Sequence, residues 1–148
     1  MASNSTRRYV ATISLVRGLA EMMLERSPGP RLKALLTLLD ADATVVLREI
    51  GSVLSRKDVE ELHGKILSLV ERGLEQAGSY QVYLAGTIGV VGDRLSEIPS
   101  HSPKHGYLEI LLVRLERVYR YYESRNRERG EIFDRDGFNM VTAFEEVF

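Results

Sequence analysis

Apolar residues recur at intervals of three and four over most of this chain, the period of helices that bury one face. Val10, Ile13, Val16, Leu19 and Met23 predict a first helix over about Thr6–Arg26, capped by Ser5 or Thr6 and ended by the prolines of "SPGP" at 27–30. Leu32, Leu35, Leu36 and Leu39 predict a short helix over 31–39, "DADAT" interrupts, and Val46, Leu47, Ile50 and Val53 predict another over 43–53. Ser55 with Asp58 three residues on resembles a capping box. It opens a helix carrying Val59, Leu62, Ile66, Leu69 and Val70, with Gly73 or Gly78 to close it.

Residues 79–97 read two ways. "YQVYLA" alternates like a strand, whereas "GTIGVVGDRLSEI" suits a helix whose small residues at 86, 89 and 92 let another backbone come close; helix is the preferred reading. "IPSHSPKHG" at 98–106 reads as a loop. Leu108, Leu111, Leu115, Val118 and Tyr122 then follow a three-four-three-four spacing, a seam for packing along a partner helix. After "ESRNRERG" comes an acidic tail that holds all four phenylalanines. Phe138, Val141, Phe144 and Phe148 are its candidate partner-binding residues, an apolar edge on which it docks to a body. The fold expected is all-α: a single-domain bundle of about six helices over 1–130, with 131–148 as a C-terminal docking segment.

Composition narrows the function more by exclusion than by assignment. At 148 residues, 44% apolar and 28% charged, the chain is long enough for one domain with a real core. No apolar run approaches the roughly 18 residues a membrane span needs. Arg17 and Glu21 interrupt the apolar stretch after Arg7 and Arg8, so the start reads as mature protein, and the expected location is cytoplasmic. Without cysteine there is no disulfide, thiolate zinc site or cysteine nucleophile. His101 and His105 flank Pro103 with no acid nearby to complete a zinc site. "GTIGVVG" lacks the following Lys-Ser/Thr of a phosphate loop, and "DRDG" at 134–137 resembles a calcium loop but has its glycine too early and no closing Glu. No nucleophile elbow or facing carboxylate pair stands out, so a non-enzyme with no metal and no cofactor is expected.

Charge is where a function suggests itself. Net charge is −1, but residues 1–39 carry six basic and two acidic groups, 40–75 five and eight, 104–129 seven and four, and 130–148 one and five. Such segregation suits docking between subunits or a local anion-binding face. "LVRLERVYRYYESRNRERGE" at 112–131 places three tyrosines and six arginines in one stretch. Arg114, Arg117 and Arg120 lie away from the seam, and Arg125, Arg127 and Arg129 follow with less acid around them; Arg7 and Arg8 give a second basic spot. Arginine forks fit phosphate and tyrosines stack on unpaired bases, which makes these eight arginines the candidate nucleic-acid contacts. The alternative for the same residues is a solvated face, since Glu109, Glu116 and Glu123 are spaced to pair with them.

Three segments carry a family likeness. "YVATISLVRGLAEMM", "KILSLVERGLEQAGSY" and "YLEILLVRLERVYRYYE" stand in the order of an N-terminal helix, a mid-chain helix with an "EAG"-like end and a final helix rich in aromatic and basic residues. That order resembles the small all-helical subunit of CRISPR type III effector complexes. "RSPGPRLK" replaces the family's Thr/Ser-rich stretch before its second helix, and the segment after 123 is additional. The resemblance implies a non-catalytic subunit in antiviral defence. It would assemble with other protein subunits or with itself in an RNA-guided complex and hold nucleic acid, RNA or DNA, by charge, without sequence specificity. A second likeness is to winged helix-turn-helix regulators of transcription: "RLKALLTLLDADATVVLREIGSVLSRKDVEELHGKILSLVERGL" supplies the helices and "EQAGSYQVYLAG" the wing, though Glu60, Glu61 and Glu71 suit a DNA groove poorly. A helical coat subunit of a filamentous archaeal virus, or a plain protein–protein adaptor, would share the charge pattern.

Overall fold

The computed structural model describes residues 4–51, 54–133 and 139–147. Over these the chain is all-α, six helices forming a single bundle, with no strand among the described residues. In order they are α1 (Asn4–Leu24), α2 (Pro30–Gly51), α3 (Arg56–Ala77), α4 (Tyr80–Glu97), α5 (Pro103–Glu128) and α6 (Met140–Val147). None of the helices, as far as they are described, is long and apolar enough to cross a membrane.

The expected count of about six arises differently from its derivation. The helices expected at 31–39 and 43–53 are one continuous α2. Ala43 supplies the missing step of its buried stripe, so Leu32, Leu36, Leu39, Ala43 and Val46 run unbroken at four and three residues. "DADAT" does not break it, because alanine is the best helix former and Asp40, Asp42 and Thr44 lie off the buried face. The loop expected at 98–106 shrinks to 98–102: Ser102 accepts a hydrogen bond from the Lys104 amide at 3.3 Å and Pro103 opens α5, where its lack of an N–H costs nothing. The sixth helix is the tail itself.

Serine caps fix the other starts. Ser55 Oγ accepts from the Asp58 amide and Ser79 Oγ from the Val82 amide, both at 3.1 Å. Gly78, at φ +74°, ends α3 in the left-handed region. The strand-or-helix question at 79–97 is settled for helix. Residues 81–88 of α4 are buried on every side, so the pattern loses its helical contrast.

The bundle has three layers. α1 and α4 pack together at the centre; α2 and α5 cover one side, α3 and α6 the other. Tyr9, Ile13, Leu15 and Leu19 of α1 and Tyr83, Leu84 and Val91 of α4 are fully or almost fully buried. The seam read on the last long helix holds, with Leu108, Leu111, Leu115 and Val118 all fully buried. Buried polar groups tie the layers. Asn126 Nδ2 donates to Gln81 Oε1 at 2.8 Å, and Gln81 Nε2 donates to the Tyr119 hydroxyl at 3.4 Å, joining α5 to α4. Arg94 of α4 donates to the Ser5 carbonyl and hydroxyl at 2.6 and 2.7 Å and pairs with Glu97.

Candidate nucleic-acid interface

α2 and α5 lie antiparallel, as their contacts show. Asp42 of α2 meets Arg114 of α5, and Arg31 at the start of α2 shares a cleft with residues 117–128 near the end of α5. That cleft is open to solvent and encloses about 670 Å³. Arg31 and Leu35 line it from α2, and Arg117, Arg120, Tyr121, Ser124, Arg125 and Glu128 from α5.

The helical period explains this wall. At about 100° per residue, Arg117, Arg120 and Ser124 fall on the side of α5 opposite the buried seam. Glu109, Glu116 and Glu123 step by seven and keep to a different flank. Arginine and glutamate are therefore largely offset around α5, and the pairs seen along it lie towards its ends. Glu123 reaches Arg127 at 3.7 Å, and Glu109 takes His105 at 2.9 Å. Among the described residues, Arg31, Arg117 and Arg120 form no ion pair, although Glu128 lines the same cleft. Arg125 donates to the Tyr121 hydroxyl at 3.0 Å and forms no ion pair among the described residues.

The eight arginines singled out by sequence thus divide. Arg117, Arg120 and Arg125 come together. Arg114 is half-buried and held by Asp42 at 2.9 Å, so its charge is spent within the fold. Arg127 is exposed and paired with Glu123, and Arg129 is an exposed residue closing α5 through its backbone N–H to the Arg125 carbonyl. Arg7 and Arg8 stand apart from the cleft, Arg7 3.9 Å from Glu61 of α3 and Arg8 paired with Glu145 of α6. As cleft residues, Arg31, Leu35, Ser124 and Glu128 escaped the sequence reading. Nothing local marks them, because only the antiparallel pairing of α2 with α5 brings Arg31 to the arginines some ninety residues later.

The three tyrosines of the stretch also part. Tyr119 is buried with Gln81. Tyr122 stacks at 5.6 Å on Tyr80, over which Arg26 sits at 5.4 Å, and burial followed by its tyrosine neighbours pushes its pKa up to about 12. Tyr121 alone of the three lines the cleft, held edge-on against Tyr122 at 5.5 Å.

The tail residues that are described lie against the chain's own body. Phe144 is 3% exposed and, with Met140, completes the chain's own core, while Val141 packs so close to α4 that a Cβ on Gly89 would come within 3.3 Å of its Cγ2. Both sit where α6 packs on α4 and α3 of the same chain. Phe138 and Phe148 lie outside the described residues. The wing of the regulator reading has no counterpart either, since 75–87 runs from the end of α3 into α4. No family model matches this chain, and no curated protein or solved structure matches it.

Proposed function

We propose that this protein is a non-catalytic subunit of a cytoplasmic nucleoprotein assembly, holding single-stranded nucleic acid by its phosphates in the α2–α5 cleft. In this it would act as the small helical subunits of CRISPR type III complexes do. The observation that carries the reading is the gathering of Arg31, Arg117, Arg120 and Arg125 around one open cleft, none of them in an ion pair among the described residues. Unpaired guanidinium groups repel one another, so a cleft of four gains most from a polyanion. The start of α2 adds to it: no acidic residue sits in that first turn, which leaves the positive end of the helix dipole uncompensated beside Arg31. Tyr121 offers a ring edge and hydroxyl beside the phosphates. The charged lining is mostly arginine, which meets any phosphate alike, so binding tolerant of sequence is expected.

The test is a salt series with a fluorescent oligouridylate. Four phosphate contacts predict log Kd changing with log salt at a slope of about 3, from roughly 0.7 per phosphate on a single strand. Arg117→Glu with Arg120→Glu should weaken binding at least about tenfold and lower the slope by about half. Arg7→Glu with Arg8→Glu should change it little. Unchanged binding in the first variant, or preference for a duplex over the single strand, overturns the proposal.

A further inference from the structure

One side of α2 faces away from the core of the bundle, with Arg31 of the cleft at its edge. Ala34, Leu38, Ala41 and Val45 are all exposed there, Leu38 at 44% and Val45 at 52%. Their spacing of four, three and four makes them one straight stripe, about 16 Å long at 1.5 Å per residue. The buried stripe of the same helix, from Leu32 to Val46, occupies the opposite side. A solvated helix side has no need of an apolar residue at every third and fourth place. An ordered patch of this kind marks a contact surface.

We infer that this stripe is the contact of a two-fold dimer, α2 lying antiparallel to α2 of a second copy of the chain. The stripe is complementary to itself in shape. Four-three-four reads the same in both directions, so a two-fold axis near residues 39 and 40 sets Ala34 opposite Val45, and Leu38 opposite Ala41, of the second copy. Each larger side chain then meets an alanine, which lets the two helices approach closely and fill each other's gaps. The stripe is also complementary to itself in charge. Arg31 and Glu49 are exposed and 18 residues apart, about five whole turns, so they lie on the same flank at opposite ends. The same axis carries each Arg31 to the Glu49 of the second copy, a carboxylate that also accepts from the Tyr107 hydroxyl of its own chain, giving an ion pair at either end of the apolar strip. A patch that meets its own image closes on itself, so assembly through it stops at two.

The dimer shares only Arg31 with the nucleic-acid reading, whose cleft keeps Arg117, Arg120 and Arg125 open, and its test contains no nucleic acid. Light scattering on the full chain at high micromolar concentration should give twice 16.7 kDa. Leu38→Glu, an exposed position, should give the single-chain mass with an unaltered helical spectrum. The register is read by cross-linking, which the lack of native cysteine makes clean. Ala34→Cys mixed with Val45→Cys should form a disulfide-linked pair on mild oxidation. Ala34→Cys alone should not, because the axis holds those two positions about 16 Å apart. A wild-type chain that stays at 16.7 kDa, a Leu38→Glu chain that stays dimeric, or Ala34→Cys linking to itself as fast as the mixture, each overturns the inference.

Discussion

Arg114 and Arg117 stand three residues apart on one helix and look alike in the sequence, yet Arg114 is bound to Asp42 and Arg117 is not. What separates them is a carboxylate seventy-two positions earlier, delivered by the packing of α2 on α5. The arginine-rich run was therefore legible as chemistry, but which of its charges stay open depends on long-range neighbours no local pattern encodes. Asn126 makes the same point in reverse. It falls inside the run "ESRNRERG", where it looks like a surface residue, and is 8% exposed, bonded to Gln81. Asn126→Leu leaves the Gln81 carbonyl without its donor in a dry place, which costs about 1–3 kcal/mol. Gln81→Leu added to it removes the orphaned group, so the double variant should lose less than the two single variants summed. Urea titrations of the four proteins check this; simple additivity would mean that the pair contributes nothing as a unit.

At the scale of elements, periodicity located α1, α3 and α5 to within a few residues, because each has one wet and one dry side. It failed where that contrast fails. α4 is dry all round, so its first turns imitate a strand, and α2 has apolar residues on two opposite sides, so its phase is blurred and its middle reads as a break. The tail's tendency to dock was visible in its phenylalanines; that α4 and α3 of the same chain receive it was not. Phe144 anchors α6 through a ring that is almost wholly enclosed. Phe144→Ala should cost about 3–5 kcal/mol. That corresponds to a fall in Tm on the order of 10 °C for a chain of this size. Hydrogen exchange should rise first in α6 and then along the α4 face around Gly89. A Tm within a degree or two of the parent would show that α6 contributes no anchoring.

For the whole molecule, the layers turn charge segregation along the chain into segregation across it. α2 and α5 together carry nine basic and seven acidic residues, α3 and α6 four and seven, and the apolar centre of α1 and α4 lies between. That centre contains phenols as well as aliphatic side chains. Tyr83 and Tyr9 are buried with their pKa values pushed well above the ordinary 10.0, burial being the largest cause for each, and Tyr122 is pushed up to about 12. Burial disfavours the phenolate, so the folded chain keeps these protons to higher pH than the unfolded chain does. Below pH 10 both states are protonated and this contribution is complete. As pH climbs from 10 towards 12 the unfolded chain binds fewer protons than the folded one, and stability falls. Thermal melts should therefore hold level up to about pH 9.5 and drop steadily above it. Tyr122→Phe, which removes one ionising group without emptying its place, should make the drop shallower. Equal slopes in the two proteins would mean that the Tyr122 phenol ionises as freely in the bundle as in water, and that the α4–α5 seam around it admits solvent.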